Sequence, residues 1–69
     1  MPEDFAGKDL SGKLLSEANL TRANLTEVDL REANLTGANL TRADLTGANL
    51  YGANLISVVG ADFTGAILE

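Results

Sequence analysis

From Leu10 to Leu55 a leucine stands at every fifth position of the chain. No other feature limits the possible folds as sharply. A helix returns to one face at spacings of three and four, and a strand at two. On a helix a step of five swings the side chain by about 140° and smears the leucines around the cylinder. On a flat strand successive leucines fall on opposite faces. Some other path of the backbone has to gather them into one core.

The surrounding residues repeat with the same period: "SEANL TRANL TEVDL REANL TGANL TRADL TGANL YGANL". Phe5 extends the central series one step upstream. Two places before each central Leu stands a small residue (Ala18, Ala23, Val28, Ala33, Ala38, Ala43, Ala48, Ala53). One place before it stands Asn or Asp, from Asn19 to Asn54. The two residues after it are most often Thr and then Gly or a charged residue.

A chain that turns a corner every five residues satisfies this pattern. The central residue and the one two before it share a strand face, so both point inward. The other three face out or form the corner. Asn and Asp bond their own backbone in turns, and Gly accepts the positive φ that turns require. Four corners close a square, so about twenty residues make one coil, and stacked coils join through parallel hydrogen bonds about 4.8 Å apart. Leu25 is expected beneath Leu45, Leu30 beneath Leu50 and Leu35 beneath Leu55. Local propensity does not choose this fold, because Ala, Asn, Asp and Gly are poor strand formers.

The repeated small–Asn/Asp–Leu–Thr–any unit resembles the motif of the pentapeptide repeat family. The resemblance covers about Phe5 to Leu68. It implies an all-β chain, a right-handed quadrilateral parallel β-helix, here of about 3.5 coils of 20 residues. Residues 1–69 are read as a single domain, with regular repeats over about 5–55, a register break at 56–60 and the last repeats at 61–68. Proteins similar to this one are abundant in cyanobacteria. Many members have no known activity, and some larger ones protect DNA gyrase by mimicking DNA.

Departures from the repeat direct attention to the ends. Lys8 and Lys13 occupy the inward small position in the first coil, where their stems are expected along the open end with the amines in water. Leu14 replaces Asn/Asp at an outward position. After Leu55 the chain reads "ISVVGADFTGAILE". Counting on from Leu55, we expect three extra residues to bulge near Val58, Val59 and Gly60, with Phe63 then over Leu40 and Leu68 over Leu45. Tyr51, Ile56, Val58, Val59, Ile67 and Leu68 make the C-terminal region the most apolar, and are the candidate interface or cap. Either the bulge roofs this end or a second chain covers it. A homodimer through a coil end is the expectation. On one wall, Arg31 is expected to lie against the Tyr51 ring.

No constellation for catalysis is found. The chain has no His and no Cys, and its ten carboxylates are spread over the outward positions. Side chains fill the core, so no cofactor pocket is expected. Net charge is −5, which argues against direct nucleic-acid binding through a basic patch. No apolar run approaches the ~20 residues of a membrane-spanning helix. The opening "MPEDFAGKDL" carries no basic stretch followed by an apolar one, so a cytoplasmic location is expected. The function expected is a non-catalytic structural or protein-interaction module whose protein partner is not identified by the sequence. The alternative is a DNA mimic that binds or protects a topoisomerase such as gyrase. The acidic balance suits that alternative, but a rod of ~15 Å spans only about five base pairs.

Overall fold

The computed structural model describes residues 3–69. Among them there is no helix and no continuous strand; turns recur every five residues, separated by isolated parallel bridges. The bridges join residues twenty apart: Asp4 to Asn24, Asp9 to Asp29, Leu14 to Asn34, Asn19 to Asn39, and onward through Asn34 to Asn54. Asn34 shows the unit. Its N–H donates to the Lys13 carbonyl at 2.9 Å, and its carbonyl accepts from Leu15 N–H at 2.8 Å. The Leu35 N–H then donates upward to the Asn54 carbonyl at 2.9 Å. Each bridge residue therefore ties down to the preceding coil, and the central leucine after it ties up to the next. The expected pairs Leu25/Leu45, Leu30/Leu50 and Leu35/Leu55 thus lie in neighbouring layers.

The regular corners are built alike. The carbonyl of the central residue accepts the N–H three places on, as Ala38 to Leu35 at 2.9 Å. The residue two after the centre has positive φ, as the third place of a type II turn demands. Gly37 (φ 70°) fills it without strain, while Glu17, Arg22, Glu27, Glu32, Arg42 and Ser57 hold φ between 57° and 64°. The preceding Asn or Asp locks the corner from outside. Asn34 Oδ1 accepts from both the Thr36 N–H (3.0 Å) and the Thr36 hydroxyl (2.6 Å).

The core is the two inward series. Leu20, Leu25, Leu30, Leu35, Leu40, Leu45 and Leu50 are buried with Ala23, Val28, Ala33, Ala38, Ala43 and Ala48. No polar side chain is buried among the described residues. The ends differ. Phe5, Leu10 and Leu15 at one end, and Leu55, Val58 and Phe63 at the other, are only partly buried. Lys8, Lys13 and Leu14 are exposed, as expected of the first coil.

The C-terminal register corrects the sequence reading. Val59 pairs with Asn39, still twenty apart, but Ile67 pairs with Asn49, a spacing of eighteen. The turn from Phe63 to Ala66 repeats that from Leu45 to Ala48, each closed at 2.9 Å. Phe63 therefore takes the place above Leu45, not Leu40, and Leu68 the place above Leu50, not Leu45. The chain does not bulge by three residues; it cuts a corner by two. Gly60 permits the shortcut. A Cβ there would collide with Thr41 Oγ1 and lie 3.1 Å from Thr41 Cα, so no larger residue fits.

Candidate functional site

The six residues singled out from the sequence fall into three groups. Ile56 and Val59 surround one corner of the last coil, and both are exposed. Ile56 continues the outward column of Ser16 and Thr36, and Val59 that of Asn19 and Asn39. Ile67 and Leu68 lie above Asn49 and Leu50 and are each 47 % exposed. Leu68 belongs to the inward series yet remains open, because no further layer lies over it. Tyr51 stands apart, on the column of Ser11 and Arg31. The structure thus forms an apolar rim around an open end, not a single patch.

Val58 departs from the expectation of an outward side chain. It is partly buried and packs against the core. Its place is that of Ala38 one coil below, and Val28, which holds the same inward position, is fully buried. The alternative of a bulge that roofs this end is not what the described residues form. The segment around Val59 continues the ladder, with Val59 N–H bonded to the Ala38 carbonyl at 2.9 Å.

The backbone of this end keeps free hydrogen-bonding groups. In the coil below, the N–H groups of Leu35 and Gly37 donate to the Asn54 and Ile56 carbonyls, and the Ala33 carbonyl accepts from Asn54 N–H. The equivalent N–H groups of Leu55 and Ser57 and the carbonyl of Ala53 have no protein partner among the described residues.

Elsewhere the polar side chains serve the fold. Arg31 follows Asp29 as Thr follows Asn in other units, and binds it with two bonds: Nε to Oδ1 at 2.9 Å and Nη2 to Oδ2 at 2.7 Å. These bonds hold the Asp29 carboxyl at about 2, well below the ordinary carboxylate range. Hydrogen bonds from the Ser11, Thr46 and Thr64 hydroxyls and their N–H groups lower Asp9, Asp44 and Asp62 in the same way. Arg31 and Tyr51 line one shallow groove with Ser11, Gly12 and Glu32. The guanidinium is directed by Asp29, a partner the sequence reading did not assign. The signal was present in the spacing, since Asp29 and Arg31 repeat the relation of Asn34 and Thr36.

The family model described as pentapeptide repeats matches the chain in eight copies, over residues 4–37, 23–59 and 32–69. Among solved structures, the chain is similar to a pentapeptide repeat protein from the Arabidopsis thaliana thylakoid lumen. The two are 33% identical with a TM-score of 0.51, over 100% of this chain and 56% of that one. A pentapeptide repeat protein from the cyanobacterium Cyanothece 51142 is 34% identical with a TM-score of 0.39, over 96% of this chain and 57% of that one. The chain therefore spans little more than half the length of these two structures. No curated protein matches it. The chain belongs to the pentapeptide repeat family, and its backbone is accordingly a right-handed β-helix.

Proposed function

We propose that this chain is a non-catalytic interaction module: a four-sided β-helix of about three and a half coils that presents its C-terminal rim and open end to a protein. The four sides follow from turns every five residues and bridges every twenty. One observation carries the functional reading. Outward positions held by Asn, Asp or Thr in the middle of the chain are held by Ile56, Val59 and Ile67 in the last coil, all exposed. Several exposed apolar side chains beside an unpaired edge mark a place that another chain can cover. The absence of His and Cys from the sequence, and carboxylates committed to turns, support a role without catalysis.

A photo-crosslinking residue placed at Ile56, in cells that express the protein, tests the reading against one placed at Glu32 on the middle wall. Crosslinks to protein at Ile56 and none at Glu32 are expected. Equal labelling at both positions, or none at either, contradicts an interaction surface at this end.

A further inference from the structure

We propose that the corner at Arg42 binds a small dissolved phosphate, as inorganic phosphate or as a phosphate monoester. The site lies on the middle coils and does not rest on the interaction surface proposed above. Three observations meet there.

The first is a free backbone donor. At a regular corner the N–H of the positive-φ residue donates to a carbonyl of the coil above: Arg22 to Thr41 at 2.8 Å, Gly37 to Ile56 at 2.9 Å and Gly47 to Gly65 at 2.9 Å. Gly37 and Gly47 are the corners on either side of Arg42. The Arg42 N–H has no protein partner among the described residues, although chain lies above both of its neighbours. The cause is the shortened register. Five residues separate Asn39 from Leu45, but only three separate Val59 from Phe63. Gly60 lies against Thr41, and counting back from Phe63 sets Ala61 above Ala43. No residue of the last coil stands above Arg42, so the chain supplies no carbonyl to its N–H.

The second is charge. Arg22 and Arg42 hold the same corner one coil, about 4.8 Å, apart. Both are exposed, and neither is paired with a carboxylate among the described residues. On the other three corners Glu17, Glu27 and Glu32 each lie against a glycine of the coil above, Gly37, Gly47 and Gly52. Only at this corner does a charged residue stack on its own kind. Two guanidinium forks so placed repel each other, and an anion between them turns the repulsion into two charge-assisted contacts.

The third is the surroundings. The wall leading to this corner carries Asn19, Thr21, Asn39, Thr41 and Val59, with no carboxylate. On the adjoining wall, Asp44 and Asp62 are turned to the N–H and hydroxyl groups of Thr46 and Thr64. In a chain of net charge −5, an anion approaching this wall meets little repulsion. One oxygen of the ligand takes the Arg42 N–H in place of a carbonyl, and the others face the two guanidinium groups. A phosphate has oxygens for all three donors and the charge to balance two cations; a carboxylate, with two oxygens and one charge, does not.

Nitrogen-15 NMR titration with inorganic phosphate, and separately with glycerol phosphate, tests this at constant ionic strength against chloride. The Arg42 amide and the Nε–H groups of Arg22 and Arg42 are expected to shift together and to saturate in the millimolar range. The Arg22 amide, held by the Thr41 carbonyl, should stay. Arg22→Gly and Arg42→Gly place glycine at φ 64° and 63°, as at the regular glycine corners, so each variant should be at least as stable in urea as the parent. Each should weaken phosphate binding at least about tenfold, the worth of one hydrogen bond to a charged group. Absence of saturation, the same shifts with chloride alone, or unchanged affinity in both variants overturns the site. Vesicles of phosphatidic acid should not retain the protein, because a surface of that charge also meets its carboxylates. Retention on vesicles without a response to dissolved phosphate overturns the small ligand. Crosslinking from Ile56 should be the same in Arg42→Gly, so this site and the interaction surface fail separately.

Discussion

Leu35 and Leu68 hold the same place in the repeat, yet Leu35 is fully buried and Leu68 is 47 % exposed. The difference is position along the stack. Leu35 has a coil on either side, and its N–H and that of its bridge residue, Asn34, are both bonded to neighbouring coils. Leu68 has a coil on one side only. A repeat protein of this kind is held together by contacts between neighbours, so each unit is as stable as what lies above and below it. The same five residues make a core in the middle and a partly exposed layer at the end.

The sharpest way to break that comparison is to truncate both leucines. Leu35→Ala should cost about 2–5 kcal/mol, the range for a fully buried side chain whose surroundings cannot collapse. In the monomer Leu68→Ala should cost under about 1 kcal/mol, since nearly half of the side chain already meets water. Urea denaturation at low protein concentration measures both. Equal losses would mean that something covers Leu68 in the single chain.

The corner locks give the next effect. Asn39 Oδ1 accepts from the N–H and the hydroxyl of Thr41, at 3.1 and 2.6 Å. Asn39→Ala should therefore cost about 1–2 kcal/mol, from bonds worth about 0.5–1.5 kcal/mol each. Val59, one coil above in the same column, has no such acceptor. Val59→Asn should leave the monomer's stability unchanged or raise it by up to about 1 kcal/mol.

Smaller still is the contrast between two glycines with nearly the same backbone. Gly47 has φ 74° and Gly7 has φ 69°. A Cβ at Gly47 would lie 3.0 Å from Glu27 Oε2, whereas one at Gly7 would meet nothing within 4 Å. Both Ala substitutions carry the strain of a left-handed L-residue, about 1–2 kcal/mol. Gly47→Ala should exceed Gly7→Ala by a few tenths, because the crowded atom is the far end of a flexible side chain.

The smallest effect is in pH. Arg31 holds the Asp29 carboxyl at about 2, below its ordinary value of 3.8. A folded-state value depressed in this way adds stability that is complete above the ordinary range and is lost as pH falls through about 2. Carboxyl NMR titration should place the Asp29 midpoint near 2, and Arg31→Ala should return it towards 3.8. A midpoint unmoved by Arg31→Ala would exclude the guanidinium as the cause.

The regular part of this fold was legible because every level of the sequence agrees on it. Leu30 and Ala33 are inward by period, Asn34 is a turn residue by chemistry, and Gly37 stands where φ must be positive. The C-terminal register was not. Eight residues separate Leu55 from Phe63, and that count fits either one unit with three residues added or two units with two removed. The choice depends on the close approach of Gly60 to Thr41, a contact between coils that no local signal carries. Val58 was misread for the same reason, although Val28 showed that the inward small position accepts valine. The rim of Ile56, Val59 and Ile67 was readable directly, as apolar residues standing where the repeat has Thr, Asn or Asp. The period carries no information on a partner for that rim, because a repeat specifies its neighbours within the chain.

Amide hydrogen exchange in dilute solution tests the contrast between middle and end most directly. Strong, similar protection is expected of the Leu25, Leu30 and Leu35 N–H groups, each bonded to the coil above, and rapid exchange at Leu55 and Leu68, whose N–H groups have no partner among the described residues. Protection at Leu55 and Leu68 equal to that at Leu35, in a sample shown to be monomeric, would contradict an open C-terminal end.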